Sequence, residues 1–168
     1  MRRRSTIRRA AAAGVVVGCA GLLATGCASA RPTAGPAAGQ AQRRIAAGYM
    51  AIARPANRRL EDDLEGIEHR DRNHLAAAKA DLRDAAATER MFDRQLLAMR
   101  LPPATEAVAR LLVASNEARA KLTNKAAAST SLRQLRRYEA RLEEANRPVE
   151  QAVRTIRSQL GLPPPATS

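Results

Sequence analysis

Aromatic side chains are nearly absent from this 168-residue chain, which has no Trp, one Phe and two Tyr. Sandwiches and barrels use β-branched and aromatic residues to cover a pleated surface, so the composition argues against an all-β fold. Cysteine is confined to Cys19 and Cys27. Nothing after residue 27 can therefore supply a disulfide framework, a thiolate metal site or a Cys nucleophile. Histidine occurs only as His69 and His74, inside or beside a polar turn. On a helix, residues five apart point about 140° away from each other. A zinc site needs three or four ligands, and neither a His-Glu-x-x-His pattern nor a repeated Glu-x-x-His pair occurs, so no metal or cofactor is expected.

What the chain has is alanine, 38 residues of it, with Leu, Ile, Val and Met recurring at regular intervals. Alanine is the best helix former, and the length suits one domain of ordinary size. The formal net charge is +13, falling to +8 once Arg2, Arg3, Arg4, Arg8 and Arg9 are set aside. Arg outnumbers Lys 26 to 3, the bias of a GC-rich genome, so the arginines are not read as a choice for phosphate recognition. A basic chain of this size suits either nucleic acid or an anionic membrane, and its compartment decides between them.

Residues 1–9 are strongly basic, and residues 10–24 form an uncharged apolar stretch of 15. That is the layout of a secretory signal and is short for a membrane-spanning helix. Leu23-Ala24-Thr25-Gly26-Cys27 follows and resembles the lipobox of bacterial lipoprotein precursors. The resemblance covers about the first 27 residues, on the targeting layout of basic start, apolar stretch and small residues before a Cys. It implies cleavage after Gly26 and acylation of Cys27. The family's usual residue three before the Cys is Leu, where this chain has Ala24. Val16-Val17-Gly18-Cys19 offers a second, weaker lipobox, since cleavage there leaves an apolar region of only about eight residues. The Arg pairs at 3–4 and 8–9 lack the large apolar residues of a twin-Arg signal, so general secretion is expected.

The expected organisation is a signal peptide over 1–26, a lipidated flexible tether over 27–41, a helical domain over 42–161 and a disordered Pro-rich tail over 162–168. Within the domain four apolar stripes recur at spacings of three and four. The first is Ile45, Tyr49, Ile52, Ala56, Leu60, Leu64 and Ile67; it keeps phase across Pro55, which predicts a kinked but continuous helix. The second is Leu75, Ala78, Leu82, Ala85, Glu89, Phe92, Leu96 and Met99, with Asn73 as its cap. The third, after Leu101-Pro102-Pro103, is Val108, Leu111, Ser115, Ala118 and Leu122. The fourth is Leu135, Tyr138, Leu142, Ala145, Val149, Ala152, Ile156 and Leu160. It opens on a Ser131-x-x-Gln134 capping box and stops at Gly161 before Pro163. Four such helices with short connections predict an all-α fold, an antiparallel four-helix bundle running up-down-up-down. Tyr49, Phe92, Tyr138 and the leucines are expected to carry most of the burial.

Few constellations suggest chemistry. His69-Arg70-Asp71 spells the start of a kinase catalytic loop, but Ala76 stands where its Asn belongs and no Gly-rich phosphate loop occurs. Ser115, Ser129 and Ser131 lack a base and an elbow motif. Glu61, Asp62, Asp63 and Glu65 lack the Gly-bearing loop of a calcium site and read as a solvated face. On the fourth helix Arg133, Arg136, Arg137, Arg141, Arg147, Arg154 and Arg157 interleave with Glu139, Glu143, Glu144 and Glu150, so much of its charge is locally paired. Glu89 alone is a carboxylate on an apolar face, with Arg90, Arg94 or Arg119 as its expected partner.

The expected function is that of a lipoprotein on the extracytoplasmic face of a cell membrane, a binding or structural module and not an enzyme. The lipid, with anionic headgroups or wall polymers facing the excess arginine, supplies its membrane association, and no nucleic acid is expected. The mature part is loosely similar to exported helical proteins of high-GC bacteria, a likeness that implies no activity. One alternative is a bundle that opens around a small apolar ligand, marked by a cavity beside Tyr49, Phe92 and Tyr138. Another, should the signal reading fail, is a basic nucleic-acid-binding helical protein; the lack of aromatics among its basic residues weighs against single strands.

Overall fold

The structure is a computed structural model, and its described residues are 36–67 and 73–165. Cys19, Gly26, Cys27 and His69 lie outside them. Every regular element is a helix, with no strand among the described residues: α1 Pro36–Glu65, α2 Leu75–Leu97, α3 Pro103–Ala127, α4 Leu132–Arg136 and α5 Glu139–Gln159.

α1 begins at Pro36, inside the segment expected as tether, and runs unbroken through Pro55 for thirty residues. A Pro in mid-helix loses one backbone hydrogen bond, and the unbroken apolar face offsets that loss. α2 is capped differently from expectation. Asn73 is exposed, and the N-cap position falls on His74, whose side chain makes no capping bond. α3 starts at Pro103, where the missing N–H costs nothing because the first amides of a helix have no partner.

The fourth stripe folds as two helices. Arg137 N donates to Gln134 O at 3.2 Å and Tyr138 N to Leu135 O at 2.9 Å, so α4 ends in tight three-residue turns. Regular four-residue bonding resumes as Leu142 N donates to Tyr138 O at 2.8 Å. The capping box is also half realised. Ser131 Oγ accepts from Gln134 N at 3.2 Å, while Gln134 Oε1 accepts from Thr130 N at 2.9 Å, one residue earlier than expected.

α5 stops as its sequence predicts. Gly161 takes φ +69°, a left-handed conformation open to glycine, and Leu162 N donates back to Arg157 O at 2.8 Å. The chain beyond it is held: Arg157 Nε donates to Pro163 O at 2.6 Å.

Two apolar clusters form the core. One gathers Tyr49, Leu96, Leu112, Val149 and Ile156, and the other gathers Leu82, Ala126 and Ala127 with Ile67, Tyr138 and Leu142 against them. The inward faces of α2 and α5 follow their predicted stripes. That of α3 is offset by one residue. Thr105, Ala109, Leu112, Asn116, Ala120 and Thr123 point inward, and Leu111 is 65% exposed. Asn116 on this face finds its partner, Asp93, on α2, so the apolar pattern alone selected the wrong side. Leu64, also expected inside, is 53% exposed.

The helices pack in series, α1 on α2, α2 on α3 and α3 on α5. α1 and α5 make few close backbone approaches. At one end they meet through Gln42 Nε2, which donates to Gln159 O at 2.8 Å, and through Arg157 Nη1, 3.5 Å from Met50 Sδ.

Candidate ligand cavity

The two clusters do not merge. On α2, Glu89 and Asp93 lie between Leu82 and Leu96; on α3, Asn116, Arg119 and Thr123 lie between Leu112 and Ala126. These side chains make a polar layer across the bundle. Glu89 is 5% exposed, and its carboxylate meets Arg119 Nη2 at 3.1 Å. The third partner foreseen for Glu89 is thus the one it has. Arg119 Nη1 donates to Asn146 Oδ1, and Asn146 Nδ2 donates to Glu150 Oε1 at 2.7 Å, which carries the network onto α5. Asn116 Nδ2 donates to Asp93 Oδ1 at 2.7 Å.

Burial dominates the electrostatics of this layer. Desolvation raises the Glu89 carboxyl above its ordinary value, and the Arg119 charge opposes the rise without cancelling it. Desolvation also pushes the Asp93 carboxyl up to about 6, against the Asn116 hydrogen bond and the Arg119 charge. Three atoms in the layer are buried without a hydrogen-bond partner: Glu89 Oε2, Asn116 Oδ1 and Arg119 Nε. Each such atom costs about 1–3 kcal/mol relative to a satisfied one.

All three residues line a cavity of about 340 Å³, near the small end of the ~300–1,000 Å³ range of small-molecule sites. Ala53, Ala56 and Leu60 of α1, Phe92 of α2, and Val149 and Val153 of α5 give it apolar walls. Tyr49 closes part of it. Its ring is edge-on to Phe92, with centroids 6.3 Å apart and planes at 81°, and burial raises its phenol against the opposing charge of Arg157. Its lining residues come from α1, α2, α3 and α5. Tyr138 is elsewhere, packed on the second cluster with Arg141 over its ring at 5.5 Å.

The other sequence candidates are not brought together. Ser115 Oγ donates to Leu111 O at 2.9 Å, and Ser131 caps α4. Ser129 is buried, and its carbonyl accepts from Lys79 Nζ at 3.0 Å. Glu61, Asp62 and Glu65 are exposed, and His74 is an exposed cap. No group of three His, Cys, Asp or Glu side chains suited to a metal occurs among the described residues.

Sequence reasoning missed Asp93, Asn116 and Asn146. Asp93 was within reach: it sits four residues after Glu89, on the same face of α2. Asn116 and Asn146 carried no such signal, because an isolated Asn reads as a surface residue. No protein-family model, curated protein or solved structure matches the chain.

Proposed function

We propose that this protein is an extracytoplasmic lipoprotein, held to the outer face of a cell membrane by acylation of Cys27, whose helical domain is a binding module for a small molecule. In this reading α4 and α5 together serve as the fourth rod of an antiparallel up-down-up-down bundle, and the protein is not an enzyme. The observation that carries the binding role is the cavity, whose lining combines apolar walls with three residues that each hold a buried partnerless polar atom. A structural module would be expected to fill that volume with side chains, since interiors pack to the density of organic crystals. The basic excess suits a position beside anionic headgroups or wall polymers, as a secondary aid to the lipid. Among the described residues no helix is long and apolar enough to cross a membrane, so the anchoring assigned here rests on the N-terminal resemblance.

The test has two arms. Wild-type protein should fractionate with membranes, and Cys27→Ser should appear in the soluble fraction or as unprocessed precursor. Native mass spectrometry of the membrane-extracted full chain should show a bound small molecule, which a cavity-filling Val153→Trp variant loses. Normal processing with full membrane retention of Cys27→Ser overturns the anchor. A bound mass that Val153→Trp leaves unchanged, or none at all, overturns the binding role.

A further inference from the structure

The partnerless atoms of the polar layer have defined chemistry. Asp93 is an acceptor whenever it is ionised, so Asn116 turns its amide N–H toward it and its Oδ1 is an acceptor. Glu89 Oε1 is engaged by Arg119, which leaves Oε2 as a second acceptor. Arg119 spends both terminal nitrogens on Asn146 and Glu89, which leaves its Nε–H as a donor. The layer thus presents two acceptors and one donor, on residues 5% and 3% exposed for Glu89 and Asn116.

The charge balance points the same way. With both carboxylates ionised, Glu89 and Asp93 have one guanidinium in direct contact, that of Arg119, and Arg90 acts on Glu89 from farther away. Arg90, the next cation along α2, is drawn to Glu117 at 3.8 Å. The cations at the other end of the cavity are already engaged. Arg154 pairs with Glu150 at 3.1 Å, and Arg157 holds the Pro163 carbonyl. The carboxylate excess therefore lies at the inner end of the cavity, while Arg157, which no carboxylate pairs among the described ion pairs, lies at the other.

We infer that the Glu89–Asn116–Arg119 end of the cavity is a subsite for a small organic ammonium that carries a hydroxyl or carbonyl oxygen on a neighbouring carbon. The ammonium donates to Glu89 Oε2 and Asn116 Oδ1, and the neighbouring oxygen accepts from Arg119 Nε. The apolar body of the ligand lies against Phe92, Leu112 and Val149, which line the same cavity. This assignment rests on the reading of the cavity as a ligand site and adds the class of ligand.

The experiment titrates four probes into the membrane-extracted full chain at neutral pH: 2-amino-1-phenylethanol, 2-phenylethylamine, the neutral 2-phenylethanol and the anion 3-phenylpropionate. The amino alcohol should bind at least about tenfold more tightly than the alcohol or the anion, because hydrogen bonds to charged groups are the strong ones. The amine without hydroxyl should fall between them. Glu89→Gln keeps an amide oxygen for Arg119 and removes the charge, and it should erase the preference for the two ammonium probes over 2-phenylethanol. Equal binding of all four probes, abolished by Val153→Trp, overturns the ammonium subsite and leaves the cavity reading standing. Tighter binding of the anion, or a preference that survives Glu89→Gln, also overturns the subsite. Failure of every probe, with no bound mass on the extracted protein, overturns both.

Discussion

The amide of Asn116 on α3 donates to the carboxylate of Asp93 on α2 at 2.7 Å, inside a layer that separates two apolar clusters. Both side chains are buried, at 3% and 6% exposure. This pair, with Glu89 and Arg119 beside it, sets the register of α3 against α2. A rotation of α3 by one residue would bring Leu111 inward and strand Asp93 without its donor. An apolar interface tolerates such a slip far better than a buried carboxylate does.

Asp93 gives stability a distinctive pH dependence. Its carboxyl ordinarily titrates at 3.8 and is pushed up to about 6 by burial. The folded chain therefore binds more protons than the unfolded chain between these values, and stability falls as pH rises through that window. The loss should be about 1–2 kcal/mol after allowance for solvent screening. Glu89 is raised in the same direction and adds to the slope. Asp93→Asn, which still offers Asn116 an acceptor oxygen, should flatten most of it. Chemical denaturation at pH 4 and pH 7 measures the difference, and an Asp93→Asn slope equal to wild type would contradict the assignment.

The Glu89–Arg119 pair should be costly to break and cheap to replace. Arg119→Ala leaves a buried carboxylate without its cation, an expected loss of about 3–5 kcal/mol. Glu89→Leu combined with Arg119→Met exchanges the pair for apolar volume and should recover most of that loss. A double-mutant cycle in denaturant reports both numbers. Equal destabilisation by the single and the double variant would show that Arg119 matters through Asn146 and not through Glu89.

The register of α3 can be read from adjacent leucines. Leu112 is fully buried in the first cluster, and Leu112→Ala should cost about 2–5 kcal/mol. Leu111 is largely exposed, and Leu111→Ala should change stability by no more than about 0.5 kcal/mol. Reversed magnitudes in thermal or urea unfolding would restore the register expected from the apolar pattern.

Phe92 makes an intermediate case. Its ring is only partly buried and packs edge-on to Tyr49 at the cavity wall. Phe92→Ala should cost about 2–3 kcal/mol, below the ~3–5 kcal/mol of a fully enclosed ring. A loss under about 1 kcal/mol would show that the cavity wall adds little to stability.

Much of the helical architecture is legible before any coordinates. The stripes of α2 and α5 keep their phase because most inward positions are filled by Ala, Leu, Ile or Val, and burial of such residues is what a 3.6-residue period records. The stop at Gly161 is equally local, since a left-handed residue and the prolines after it end a helix whatever surrounds it. Glu89 stood out because a carboxylate interrupts an otherwise apolar stripe.

The rest depended on residues far apart in the chain. Asn116 lies inside, yet its side chain looks like a surface residue in any window of α3, because its burial depends on a group outside that window. The Asn116 amide nitrogen finds its acceptor on Asp93, 23 residues away, and Arg119 Nη1 finds its acceptor on Asn146, 27 residues away. The break between α4 and α5 and the cavity between α1 and α5 are likewise properties of packed helices and not of any one of them. Local sequence therefore determined which segments are helical and where most of them bury their apolar faces. Tertiary structure decided the register of α3 and the composition of the polar layer, because a polar group is buried at low cost only when another helix brings its partner.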